Sequence, residues 1–198
     1  TANATGDPAT NEDDVTHRIG IVKFSGNESD QIGNDTYRSD GNTYNYSQAV
    51  QDLTSVTGNV QSLKNAVNEL AAAGSTRTDF GLNQAQRVLD GDWQHGLGGA
   101  REEAKQVVVV FTDGEPSTFS NWSGGVAANA VNLAKDLKDD KVTVYTIGMF
   151  EDADPSDTDG RFNKYMNGVS SNYPNAEVTN WRGDRTQDWD DCKLGTRV

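Results

Sequence analysis

One stretch decides the fold: Gln106-Val-Val-Val-Val-Phe-Thr-Asp-Gly-Glu-Pro116. Its apolar, β-branched run has no polar alternation, which is typical of a strand covered on both faces in a parallel sheet. The run stops at Thr-Asp-Gly, where Gly114 permits a tight turn and Pro116 cannot continue a hydrogen-bonded ladder. Asp113 is therefore predicted at the carboxyl end of a central strand, which is the edge where open α/β sheets bind ligands.

A carboxylate held at that edge by a rigid strand is a natural ligand for a hard cation. A lone Thr-Asp-Gly is explained equally well by a turn that the aspartate caps. A second stretch in the same chain, Gly74-Ser-Thr-Arg-Thr-Asp-Phe-Gly-Leu82, shifts the balance toward a cation site.

Composition narrows the class of protein. The 198 residues suffice for one domain with a real core. The net charge of −13 and the pI of about 4.4 disfavour binding to nucleic acid or to an anionic membrane. No apolar run reaches the roughly 18 residues that a membrane-spanning helix needs. The single cysteine, Cys192, excludes an internal disulfide framework.

Strand and helix patterns alternate along the chain. Strands are predicted at Arg18–Phe24, Gln106–Thr112 and Val142–Gly148. Helical spacing covers residues 60–70, 78–89, 123–137 and 162–169, whereas residues 25–47 are predicted as a long loop. Because the connections are too long for hairpins, we expect an α/β fold with a doubly wound, mostly parallel sheet and helices on both faces. The three strands should lie in one sheet.

Three stretches taken together resemble the von Willebrand factor type A (VWA) domain: Arg18-Ile-Gly-Ile-Val-Lys-Phe-Ser25, Gly74–Leu82 and Val107–Gly114. Residues 142–148 resemble that family's next strand. Val169-Ser-Ser-Asn-Tyr-Pro174 and the large acidic loops resemble the versions found in surface and pilus proteins of Gram-positive bacteria. The resemblance implies a Rossmann-like fold and one domain over residues 1–198. Its core would span about 18–170, between a polar arm or helix remnant at 1–17 and a polar tail at 171–198.

The resemblance also implies a metal-ion-dependent adhesion site (MIDAS), which that family builds from three loops. Two of its metal ligands match Thr76 and Asp113, and the ion would be Mg²⁺, or Ca²⁺ or Mn²⁺. The third loop, a D-x-S-x-S turn after the first strand, is not readable upstream of Arg18. We therefore expect the front of the domain to lie before Thr1. The incomplete site should then bind metal weakly or not at all in this segment.

Other residues are candidates for binding roles. The acidic loop with Asp152, Asp154, Asp157 and Asp159 is a possible secondary metal loop, although a solvated acidic loop is the plainer interpretation. Trp122 and Glu115 are candidates for the rim of a ligand surface, and Trp122 would as easily cover the start of a helix.

These expectations favour a non-enzymatic adhesion module, an adhesin or pilus domain of an extracellular protein at the cell surface or cell wall. Its partner would be a host or matrix protein, or another surface or pilus subunit, bound through the metal. No nucleic acid and no membrane insertion are expected within this segment. One alternative is a metal-dependent phosphoryl-transfer enzyme using Asp113, although Phe111 stands where haloacid-dehalogenase-like enzymes need a nucleophilic aspartate. The other is a purely structural surface domain.

Overall fold

The computed structural model describes residues 17–118 and 121–198. The helices are α1 (Val60–Asn68), α2 (Thr78–Asp90), α3 (Gly124–Asp139) and α4 (Arg161–Val169), with short 3-10 turns at Trp93–His95 and Trp189–Asp191. The strands are β1 (Arg18–Lys23), β2 (Thr36–Ser39), β3 (Asn42–Asn45), β4 (Gln48–Ser55), β5 (Val107–Thr112), β6 (Thr143–Gly148), β7 (Glu177–Val178) and β8 (Cys192–Lys193). The predicted arm at 1–17 falls, except for its last residue, outside the described residues.

The strands pair two by two. β5 and β6 are parallel, in continuous register from Val107 opposite Thr143 to Thr112 opposite Gly148. β1 pairs antiparallel with β4, and β2–β3 and β7–β8 are also antiparallel pairs. Within the described residues β1 forms no ladder with β5, so the expected single, mostly parallel sheet is not seen there. The physical reason is that no described strand lies between them to join the two pairs.

Residues 25–47 hold a strand pair where the sequence predicts only a loop. β2 and β3 form a hairpin whose two-residue turn, Asp40–Gly41, has φ values of 50° and 80°. Positive φ at both positions is what the tightest hairpin turns require. Tyr37 stacks across the pair on Tyr44, with ring centroids 5.5 Å apart, and such cross-strand aromatic pairs stabilise a hairpin. The polar composition of both strands conceals this pairing in the sequence.

The helices follow the predicted apolar spacing. α2 begins at Thr78 and ends against Gly91, whose φ of 86° closes the helix. Ser123 caps α3, because its hydroxyl accepts a hydrogen bond from the Val126 N–H at 3.3 Å. α1 stops at Asn68, two residues before the predicted end of its apolar stripe.

The main core lies where α3 packs on α4 and on the β5–β6 pair. Ala127, Ala130 and Val131 of α3 are fully buried. Val178 and Cys192 belong to the same cluster, so the core extends past residue 170 into the predicted polar tail. No helix in the described part of the chain combines the length and the apolar character needed to cross a membrane.

One face of the β5–β6 pair is not covered by described residues, although the sequence predicts burial on both faces. Val107, Val109 and Phe111 of β5 are 44%, 52% and 53% exposed. On the same face of β6, Tyr145 is 55% and Ile147 is 40% exposed. The alternate residues of β5 point into the core instead. The unbroken apolar run is thus half-covered here.

Candidate metal-binding edge

Thr76 and Asp113 line the same cavity of about 250 Å³. Asp113 immediately follows β5, and Thr76 lies two residues before α2 begins. The end of β1 forms another wall of this cavity through Lys23 and Ser25. Three separate segments of the chain therefore meet at one edge of the fold, and the two predicted metal ligands lie in the same place.

Serine side chains hold the two loops together. The Thr76 N–H donates to Ser117 Oγ at 3.1 Å, and the Ser117 N–H donates back to the Thr76 carbonyl at 3.0 Å. Ser75 Oγ donates to the Thr118 carbonyl. These residues, Ser75, Thr76, Ser117 and Thr118, form what we call the loop clasp. It fixes the Thr76 segment beside the Asp113 turn, and nothing in the sequence pattern points to it.

The turn at Asp113 is shaped by its neighbours. Thr112 Oγ1 accepts from the Gly114 N–H at 3.2 Å and donates to the Gly114 carbonyl at 2.9 Å. A Cβ added at Gly114 would lie 3.3 Å from Thr76 Oγ1, so the turn packs closely on the threonine. Among the described residues none hydrogen-bonds or ion-pairs with the exposed Asp113 carboxylate or with the Thr76 hydroxyl. The Asp113 carboxylate and the Thr76 hydroxyl are therefore both available to a ligand.

Buried polar contacts position the start of α2, and with it Thr76. Asp79 is only 2% exposed and accepts two hydrogen bonds from Arg77, each at 2.8 Å. The Arg77 guanidinium in turn lies 3.4 Å from the centre of the Phe80 ring. Thr78 Oγ1 accepts from the fully buried Tyr165 hydroxyl at 2.6 Å. The bidentate geometry fixes the orientation of the first helical turn, because both donors must stay in plane with the carboxylate.

The one basic side chain that lines this cavity, Lys23, directs its charge away from it. Lys23 is 8% exposed, and its ammonium donates to Asn34 Oδ1 at 2.7 Å and to the Asp35 carbonyl at 2.8 Å. Burial lowers the pKa of Lys23, and the Asp35 carboxylate opposes that shift. These contacts tie the ammonium to the β2 side of β1. It therefore pairs with neither Asp113 nor a ligand at the cavity.

The oxygens at this edge are of the type that a hard cation binds, but there are too few of them to fill its coordination shell. Mg²⁺ requires near-octahedral oxygen coordination and gives up its waters reluctantly. Within residues 17–118 and 121–198, no three His, Cys, Asp or Glu side chains are grouped so that they could hold a metal ion. Thr76 and Asp113 supply one hydroxyl and one carboxylate. As metal ligands they would form only part of a site, and further oxygens would have to complete it.

Two of the four carboxylates of the predicted secondary metal loop, those of Asp154 and Asp157, accept hydrogen bonds from the loop's own backbone. Asp154 Oδ1 accepts from the N–H of Ser156 at 2.8 Å, and Asp157 Oδ1 accepts from that of Asp159 at 2.9 Å. The Asn163 amide donates both to Asp157 Oδ2 and to the Asp152 carbonyl, each at 2.9 Å. Such contacts are those of aspartate-capped turns. A cation in this loop stays a prediction, and the observed contacts favour the plainer interpretation.

Trp122 and Glu115 contact residues of α4 and the C-terminal segment. Glu115 pairs with Arg161 at 2.8 Å, and the Arg161 guanidinium lies 4.6 Å from the Trp122 ring centre. Trp122 packs edge-on against Tyr165 and Trp189, with centroid distances of 6.2 and 5.4 Å. Trp122 is thereby packed against α4 and the C-terminal segment. A role of either residue as a ligand rim stays a prediction.

Comparison with known proteins identifies the family of this chain. The von Willebrand factor type A domain matches residues 9–182, which is most of the chain. A search of curated proteins found no match. VWA domains have an α/β Rossmann-like fold and generally serve as non-enzymatic modules for protein–protein interaction and adhesion. Many bind a divalent metal at a MIDAS. The chain belongs to the von Willebrand factor type A domain family.

Proposed function

We propose that the chain is a non-catalytic binding module of a bacterial surface or pilus protein, which attaches to a partner protein through a divalent cation. One observation supports this most directly: the Asp113 carboxylate and the Thr76 hydroxyl line one cavity and have no partner among the described residues. The loop clasp holds them there. A rigid pair of available oxygens at a strand end is what a cation bridge needs.

The cation, Mg²⁺ or alternatively Ca²⁺ or Mn²⁺, would be held by Thr76, Asp113 and the oxygens of a D-x-S-x-S turn in polypeptide outside the printed chain. A carboxylate of the partner would fill the remaining coordination position. The net charge of −13 makes such a bridge useful. An acidic partner is repelled by the domain as a whole, and a local divalent charge offsets that repulsion at one point.

The surroundings of Asp113 disfavour the phosphoryl-transfer alternative. That chemistry needs a nucleophile and cationic groups around the transferred phosphoryl group. Phe111 occupies the position of the nucleophile, and its side chain is 53% exposed. The one basic side chain lining the described cavity belongs to Lys23, whose ammonium is bonded to Asn34 and to the Asp35 carbonyl. A binding role needs none of these groups.

We place the protein outside the cell, at the cell surface or in the cell wall of a Gram-positive bacterium. The resemblance of residues 169–174 and of the acidic loops to Gram-positive surface proteins supports this location. A host or matrix protein, or another surface or pilus subunit, is the partner that this location implies.

Titration calorimetry with Mg²⁺ tests the proposal on two forms of the protein. One is the 198-residue chain, and the other carries an N-terminal extension with an apolar strand and a D-x-S-x-S turn. We expect little or no heat of binding from the first and saturable one-site binding by the second. Asp113→Ala should abolish that binding, and Thr76→Ala should weaken it. Asp190→Ala is the matched control, because this exposed aspartate lies away from the cavity.

Two results would contradict the proposal. One is an extended form that folds and binds no divalent cation. The other is tight binding that persists in Asp113→Ala, which would place the metal elsewhere in the domain.

A further inference from the structure

A polar cleft lies between α2, α3 and the C-terminal segment. Its volume is about 440 Å³, within the range of roughly 300–1,000 Å³ that small-molecule sites occupy. Residues 79, 80 and 83 of α2, 129, 132 and 133 of α3, and 185–187 line it, together with Glu28 from the segment between β1 and β2. It shares no lining residue with the cavity of Thr76 and Asp113. We name it the helix cleft.

Carboxamide side chains line the helix cleft from three separate segments: Asn83 of α2, Asn129 of α3 and Gln187 of the C-terminal segment. Within the described part of the chain, no residue hydrogen-bonds to the side chains of Asn129 and Gln187. Asn83 uses only its nitrogen, which donates to Glu28 Oε1 at 2.6 Å. Because a carboxamide carries two donors and one acceptor oxygen, these groups suit a ligand that both donates and accepts.

The charged side chains of the helix cleft leave one carboxylate unpaired. Arg185 forms a bidentate ion pair with Asp136, in which Nη1 lies 2.8 Å from Oδ2. Asp79 is 2% exposed and pairs with Arg77 at 2.8 Å. Glu28 forms no ion pair with any described residue. An anionic ligand would therefore meet this carboxylate without an available cation to offset the repulsion, so the cleft favours an uncharged ligand.

Backbone hydrogen bonds hold Glu28 in place. The Ser47 N–H donates to the Asn27 carbonyl at 2.8 Å, and the Ser47 carbonyl accepts from the Ser29 N–H at 3.0 Å, so the chain is fixed on both sides of Glu28. Glu28 Oε1 accepts from two amides of α2, at 2.6 and 3.2 Å. Its Oε2 has no hydrogen-bond partner among the described residues. A carboxylate oxygen held in this way is a strong acceptor for a hydroxyl group.

Phe80 and Leu133 give the helix cleft apolar surface. The Arg77 guanidinium lies 3.4 Å from the centre of the Phe80 ring and covers one of its faces, while the rest of the ring lines the cleft. A sugar ring carries C–H groups that pack against such aromatic and aliphatic surface. Its hydroxyls both donate and accept hydrogen bonds, as the free carboxamides require.

We propose that the helix cleft binds a neutral saccharide. The sugar ring would pack against Phe80 and Leu133, and its hydroxyls would bond to Glu28 Oε2 and to the carboxamides of Asn129 and Gln187. A purely apolar ligand would leave these polar groups without partners, and an anionic one would be repelled. A sugar site here goes beyond the proposed cation bridge and does not depend on it.

An oligosaccharide array tests the helix cleft. The labelled 198-residue chain is applied in EDTA, so that no metal contributes. The array carries neutral structures built from hexoses and N-acetylhexosamines, each beside a sulfated or sialylated counterpart. We expect binding to at least one neutral structure and weaker binding to its charged counterpart. Calorimetry with the bound neutral structure should then show saturable binding to one site.

Variants assign the binding to the helix cleft. Asn129→Ala removes a carboxamide and should weaken binding at least tenfold, and Asn129→Trp should abolish it by filling the cleft. Asn68→Ala and Asn68→Trp are the matched controls, because this exposed asparagine of α1 lies outside the cleft, and both should leave binding unchanged. Glu28→Gln keeps the shape and removes the charge. It should weaken binding of the neutral structure and narrow the difference between neutral and charged structures.

Three outcomes would overturn the proposal. One is that no neutral structure binds, and another is that the Asn129 variants fold and bind with unchanged affinity. Asn129→Ala decides the matter if Asn129→Trp fails to fold. The third is that pentalysine binds, in a manner that Glu28→Gln abolishes, while no saccharide does, which would assign the cleft to a cationic peptide. Since EDTA is present throughout, the sugar site and the cation bridge can fail separately.

Discussion

The hydrogen bond between Tyr165 and Thr78 offers a sharp test of how the core positions the candidate site. The Tyr165 ring is fully buried, and its hydroxyl donates to Thr78 Oγ1 at 2.6 Å, at the start of α2. Burial raises the pKa of Tyr165, so the hydroxyl remains a neutral donor throughout the usual working range. Tyr165→Phe removes the donor and keeps the ring contacts. Thr78→Val removes the acceptor and keeps the shape.

A buried neutral hydrogen bond contributes about 0.5–1.5 kcal/mol, and an unsatisfied buried partner costs about 1–3 kcal/mol. We therefore expect each single variant to lower the free energy of unfolding by about 1–2 kcal/mol. The double variant should lose less than the sum, with a coupling energy of about 1 kcal/mol. For a domain of this size each kcal/mol corresponds to about 2–4 °C in Tm.

Urea unfolding followed by tryptophan fluorescence measures these quantities, because Trp122 and Trp189 lie 6.2 and 6.3 Å from the Tyr165 ring. Tyr173→Phe is the matched control, since Tyr173 is 5% exposed and its hydroxyl bonds to no described residue. It should change stability by less than about 0.5 kcal/mol. A coupling energy near zero between Tyr165 and Thr78 would refute the reasoning.

Three further predictions concern stability and dynamics. Ser123→Ala should lower the free energy of unfolding by about 1 kcal/mol through loss of the α3 cap, and Ser123→Asp should retain it, as thermal melts would show. Burial lowers the pKa of Lys138 from 10.5 to about 8. Between pH 8 and pH 10.5 this lysine therefore binds more protons in the unfolded chain than in the folded protein. Its contribution makes the free energy of unfolding rise with pH in that range. Urea melts across that range should show a flatter dependence in Lys138→Met, and an unchanged slope would contradict the assignment. Amides of residues 151–160 should exchange faster than those of β5 and β6, because this acidic loop offers few apolar anchors; slow exchange through most of it would be evidence against this.

The position of Asp113 was predictable because its signals are local. The apolar run, the following glycine and the proline lie within eleven consecutive residues. That Thr76 would share its cavity followed from the family resemblance rather than from any local pattern. The loop clasp was not predictable, because serines such as Ser75 and Ser117 are common in polar loops and only the tertiary structure brings them together.

The strands that the sequence pattern did not predict, such as β4, are rich in polar residues. Gln48, at the start of β4, is fully buried although it is polar, and its amide bonds to the Asp35 N–H at 2.7 Å and to the Gln31 carbonyl at 3.1 Å. Burial of such a residue depends on partners that are distant in sequence, so the hydropathy pattern gives no strand prediction for residues 48–55. The opposite error occurs at β5. Its composition predicts cover on both faces, and the face of Val109 lacks it in the described chain.

The only cysteine has a practical consequence for measuring how the domain opens. Cys192 is 6% exposed in β8, and burial raises its pKa to about 11. At pH 8 about one thiol in a thousand is then ionised in the folded protein. A thiol-specific reagent should therefore modify the chain only after the C-terminal segment has detached. Since no second thiol competes, the rate of modification reports the frequency of that detachment without an engineered label.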